Sequence, residues 1–290
     1  GSIILKGGSS GDSNGGNVAV SSGKGYKSSG SMQMLTAASN VGSTGDIFTS
    51  SGDALLSSGG IKIITGKSIS GKSGDINLKG GSSNDKGGNI VIASGKSSSS
   101  TGGTIELASG MSEFGHGGDV KVSSGLSSGS HSGFVSIETG DGLENSGRIR
   151  LHTGKSSKSS GSISVSTGDS TSGAGGSIYF RSGASKSSTG GSVEIVTGRG
   201  IKSGHFIAET KSSIGNSGTI KIQSGLSKRS SGDILLRTGI AKFTSGNVFV
   251  GTGKSISGKT GSIRLHVGQS VTETGGAIEV LSGQSKLSYS

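Results

Sequence analysis

The residues with the most evident chemical potential lie in two nearly identical stretches, "GKSISGKS" at 66–73 and "GKSISGKT" at 253–260. Both match G-x-x-x-x-G-K-[ST], a loop in which backbone amides and a lysine cradle phosphate groups while a Ser or Thr hydroxyl meets a magnesium ion. Such a loop works between a strand and a helix, whose dipole and free amides converge on the anion. A strand pattern, Ile61-Lys62-Ile63-Ile64, precedes the first match, but "GDINL" and "GSIRL" follow the two matches, and these read as the next strands. Without the helix, neither stretch is expected to hold a nucleotide.

The other motifs are weaker. G-x-S-x-G occurs as "GDSNG" at 11–15 and "GLSSG" at 125–129, but a nucleophilic serine needs a strand-to-helix turn and a histidine held by an acid. His116, His131, His152, His205 and His266 are scattered without paired spacing, and the chain has no Cys for thiolate ligation. "GGD" at 117–119 resembles the start of calcium-binding nonapeptide repeats, without their continuation or nine-residue period. No catalytic residue, cofactor site or metal site is expected, and the chain reads as a non-enzyme.

Composition narrows the class further. Of 290 residues 60 are Gly, none is Pro, Cys or Trp, and 28% are apolar, too few for a conventional large core. Such a chain would be disordered unless its few apolar residues were placed in strict order. No apolar run approaches the ~18 residues of a membrane span, and no secretory leader is legible. The formal charge of +11 favours acidic partners. Nucleic acid is not expected, because the basic residues lack aromatic platforms for stacking bases.

The order is present. Apolar residues recur at positions such as Ile61, Ile76, Ile90 and Ile105, dividing the chain into twenty repeats of 13 to 15 residues. With this residue as slot zero, slot two is apolar in every repeat but one, where it is Thr49. Ile61 and Ile63, Ile105 and Leu107, Ile149 and Leu151, Ile163 and Val165, and Ile263 and Leu265 are the expected core pairs. Apolar-any-apolar is the period-two signature of a strand with one covered face. Slot four is Ser or Thr in 17 repeats, slot five is Gly in 18, and Gly stands two residues before slot zero in all twenty. The bracketing glycines, exemplified by Gly66, Gly74, Gly154, Gly161, Gly253 and Gly261, are expected where φ is positive or no Cβ fits. Slot seven is never larger than Ser, which places it where the chain turns. Beyond it, length and residue type vary freely, as on a solvent-facing apex.

These features predict an all-β fold, a parallel β-solenoid of twenty 13–15-residue repeats whose strands pair with equivalents ~4.8 Å above and below. Alternating intervals favour two repeats per coil, about ten coils, over one repeat per coil. A single continuous array over 1–290 without separate caps is expected.

The variable apices carry Lys67, Lys72, Lys155, Lys158, Lys254 and Lys259, the candidate contacts for an anionic surface. "GKSSKSSGS" at 154–162 resembles the Lys/Ser repeats of silaffins. Over all twenty repeats the chain is similar to Gly/Ser-rich solenoid repeats of extracellular adhesins, cell-surface fibres and phage tail appendages. That resemblance implies an extracellular or cell-surface structural role with end-to-end self-association into fibres. The alternative is a module binding anionic glycans, silica mineral or ice, although slots one and three mix charges such as Lys62, Glu106 and Arg150 where ice binding would want a regular threonine row.

Overall fold

The computed structural model describes residues 1–283. The chain divides into two units, Gly1–Ile149 and Arg150–Ser290, and the boundary falls between slots zero and one of the eleventh repeat. The same local geometry recurs within each unit.

That geometry is not the expected solenoid. Among the described residues there is neither helix nor strand, so the all-β assignment, its parallel ladder and its coils of two repeats are overturned. The physical reason lies in where the backbone bonds go. A ladder needs a neighbouring backbone at ~4.8 Å along the whole strand. The period-two pattern sorts side chains onto faces, but it does not supply that neighbour. Eight backbone hydrogen bonds of 2.7 to 3.3 Å are of one kind: the amide of the Gly before slot zero donates to the slot-five carbonyl of the preceding repeat, as in Gly88 to Gly81 and Gly103 to Gly95. Each spans six to eight residues, from Gly204 to Gly198 up to Gly16 to Gly8. They tie the bases of eight apices, and slots zero to four lie outside them.

Every bend of the described chain falls within slots seven to ten, as at 69–71, 113–115 and 256–258. Each repeat is therefore one irregular segment and one corner, and eight corners are closed at the neck by such a bond. No described residue is buried. Slot-zero residues are 45% to 65% exposed, apart from Ile3 at 93%. The expected core pairs, from Ile61 and Ile63 to Ile263 and Leu265, are between 48% and 75% exposed and form no buried core. Total surface is 31,026 Å², against about 11,000 Å² for a compact monomer of this mass.

The residues with the most cover are small. Gly80, Ser182 and Ser224 at slot four and Ser97, Ser127 and Ser255 at slot seven are the described residues of intermediate exposure. Slot four lies under the neck: a Cβ on the following glycine would approach it, at 3.3 Å for Gly133 against Ser124 and 2.9 Å for Gly176 against Thr167. The Thr167 hydroxyl also donates to the Gly176 carbonyl at 3.2 Å. Where slot four is itself Gly, the neck is tighter. A Cβ on Gly7 would stand 2.1 Å from the Gly16 oxygen, and one on Gly80 2.5 Å from the Gly88 oxygen.

Candidate functional site

The apex is built from slot seven outward. In fourteen repeats slot seven is a described serine, and in all fourteen its Oγ accepts a hydrogen bond from the backbone amide two or three residues later. A short hydroxyl side chain is suited to this because it reaches its own backbone and substitutes for a turn carbonyl. The bond fixes the corner at the start of the variable segment, whatever that segment contains. Where slot seven is Gly, a second kind of corner replaces it. A Cβ on Gly25 would meet the Ser28 oxygen at 2.0 Å, on Gly142 the Asn145 oxygen at 2.1 Å, and on Gly200 the Lys202 oxygen at 2.9 Å. Sequence reasoning placed slot seven at the turn. It missed the hydroxyl–amide bond, whose signal was the preference for Ser over Ala at a position required only to be small.

The glycines differ from expectation in their cause. No described residue has a positive φ. Gly66, Gly154 and Gly253, at slot five, have nothing within 4 Å of a Cβ position. Gly74, Gly161 and Gly261 would rest a Cβ at 3.6 to 3.7 Å from the methyls of Thr65, Thr153 and Thr252, an ordinary contact.

At the two phosphate-loop matches the atoms are otherwise engaged. The Gly71 amide donates to Ser68 Oγ at 3.1 Å and the Gly258 amide to Ser255 Oγ at 3.0 Å, so an amide that an anion would need is already bonded. Lys72 Nζ pairs with Asp75 at 3.0 Å. Both stretches are slot-seven corners like the rest. In "GLSSG" the Ser127 hydroxyl accepts from the Ser130 amide at 3.0 Å, and in "GDSNG" the Ser13 amide donates to Ser10. Asp119 of "GGD" faces Lys121 at 3.6 Å. Among the described residues no three His, Asp or Glu side chains gather at a metal-binding distance.

The candidate lysines all project into solvent. Lys67, Lys155 and Lys254 occupy slot six, one residue before the corner serine, and the Lys158 amide donates to Ser156 Oγ at 3.2 Å. Lys72 and Lys259 stand at the far side of their apices, four residues before the next slot zero. Besides Lys72–Asp75, exposed ion pairs join Lys121 to Asp119 and Lys211 to Glu209; pairs in water contribute little. Among the described residues the arrangement offers an adaptable cationic fringe without a convergent pocket.

No helix among the described residues is long and apolar enough to cross a membrane. No family model, no curated protein and no solved structure matches the chain.

Proposed function

We propose that this chain is a non-enzymatic structural element, a shaft of an extracellular or cell-surface filament or adhesin that associates end to end into fibres. The observation that carries the reading is the serine corner, formed the same way in fourteen repeats while the segment beyond it varies. A chain under selection for one catalytic or binding site fixes a few residues in one place. A chain under selection for length fixes the same small geometry everywhere. Electron microscopy of the purified protein tests it: elongated assemblies growing with concentration are expected, and a population of compact, dispersed particles at every concentration overturns it.

A second reading is favoured by charge alone. Exposed apex lysines on a chain of formal charge +11 suit a polyanionic glycan or silica surface. Retention on heparin or silica at low salt, weakened by changing Lys155 and Lys158 to Gln, supports this reading. Free passage at low salt removes it.

A further inference from the structure

We infer that Asn14 and Gly15 form a self-modifying site, at which the chain expels ammonia and converts Asn14 into aspartate and isoaspartate. The side-chain carbonyl carbon of an asparagine can close a five-membered ring with the next backbone nitrogen, and a following glycine leaves that approach clear because it has no Cβ. Of the nine asparagines only Asn14 precedes a glycine; five precede Val, Leu or Ile, two precede Ser, and Asn84 precedes Asp85. The hydrogen bonds separate the same residue from the rest. The Asp85 amide donates to Ser83 Oγ at 3.1 Å, which shields the proton that the reaction at Asn84 would have to remove. In the first apex the corner engages the Ser13 amide, on Ser10 Oγ at 3.0 Å, and the neck engages the Gly16 amide, on the Gly8 oxygen at 2.7 Å. Between them the Gly15 amide meets no acceptor among the described residues, and both Asn14 and Gly15 are exposed to water.

The steps need only water, so they hold whether or not the chain is a shaft. The Gly15 nitrogen gives up its proton and attacks Asn14 Cγ. The new N–Cγ bond closes a succinimide, and the Cγ–Nδ2 bond breaks, the side-chain nitrogen leaving with the proton as ammonia. Water then opens the ring at either carbonyl. Opening at Cγ gives aspartate; opening at the main-chain carbonyl gives isoaspartate, in which the peptide runs through the side chain and the former main-chain carbonyl becomes a free carboxylate. Either product lowers the charge by one. Isoaspartate also adds one carbon to the main chain, about 1.5 Å, inside the segment that the bond from Gly16 to Gly8 closes. That bond is the shortest of the eight necks, and a Cβ on Gly15 would already stand 3.4 Å from the Gly8 oxygen. The lengthened segment no longer fits the neck, so the chemistry at Asn14 opens the first apex.

The test is to age the full chain in warm, mildly alkaline buffer and follow each asparagine by peptide mass spectrometry. The Asn14 peptide is expected to gain one mass unit before any other, and enzymatic methylation of the new carboxylate should identify isoaspartate there. Gly15→Ala keeps the neck, since its Cβ makes an ordinary contact with the Gly8 oxygen, and should slow the conversion at least about tenfold, by crowding the attack. Conversion at the same pace at Asn84 or Asn145, an Asn14 that outlasts them, or an undiminished rate in Gly15→Ala overturns the site. The effect on the neck is read separately, by amide exchange in isotope-labelled protein. Asn14→Asp carries the new charge without the extra carbon and should leave Gly16 close to wild type, whereas in the isoaspartate form Gly16 should exchange roughly fivefold faster. Equal Gly16 exchange in the two overturns the opening of the apex.

Discussion

Replacing Gly25 by Ala places a Cβ 2.0 Å from the Ser28 carbonyl oxygen, whereas the same change at Gly23, two residues earlier, meets nothing within 4 Å. Both glycines have ordinary φ, so intrinsic backbone preference cannot separate them, and only the fold of the corner can. A real Cβ does not approach an oxygen closer than 3.0 Å, so the corner at Gly25 must open by about 1 Å. The neck above this corner is the Gly30 amide donating to the Gly23 oxygen at 3.0 Å. Lengthened by that amount, it lies beyond the range of a hydrogen bond. Losing one such bond removes about 1 kcal/mol of net local stability, which corresponds to roughly fivefold faster exchange of the Gly30 amide. Gly23→Ala leaves the neck intact and narrows the unfolded ensemble, stabilising by about 0.4–1 kcal/mol; its Gly30 amide should exchange more slowly than in wild type. Amide exchange on isotope-labelled protein by NMR reads both. The reasoning is refuted if Gly25→Ala leaves Gly30 unchanged, or if the two substitutions move it in the same direction.

Ser127→Ala removes the acceptor of the Ser130 amide and should cost about 0.5–1.5 kcal/mol locally, seen as faster Ser130 exchange, while Ser127→Asp, which can make the same turn, should largely restore it. Gly80→Ser installs the residue type common at slot four, yet its Cβ would stand 2.5 Å from the Gly88 oxygen; the neck from Gly88 to Gly81 should loosen, measured by Gly88 exchange, against the repeat consensus. Asp75→Asn breaks the exposed pair with Lys72 and should change thermal stability by less than about 0.5 kcal/mol.

Much of the local organisation was legible in the sequence, and the limit of legibility was physical. Spacing located the corner, because slot seven is small in every repeat and a variable apex follows. The strand pattern at Ile61–Ile63 or Ile105–Leu107 was equally regular, but it reports which side chains share a face. Whether another backbone stands 4.8 Å away is decided by a partner that the repeat's own pattern does not name. The glycines divide the same way. Gly74 and Gly66 are alike in sequence as brackets, yet one lies beside the Thr65 methyl and the other faces open space. Nor could spacing reveal that Lys72 is matched by Asp75, since such a pair three residues apart depends on the corner between Ser68 and Gly71.

The short reach of the neck bonds sets a timetable. Each joins residues six to eight apart, and a loop of about that length closes in roughly 10–100 ns. Chain synthesis at about 5–20 residues per second delivers one repeat roughly every second. Each corner can therefore close and reopen millions of times before the next repeat leaves the ribosome. The chain meets no topological bottleneck as it lengthens, and adding or deleting whole repeats changes its extent without altering how any repeat acquires its corner.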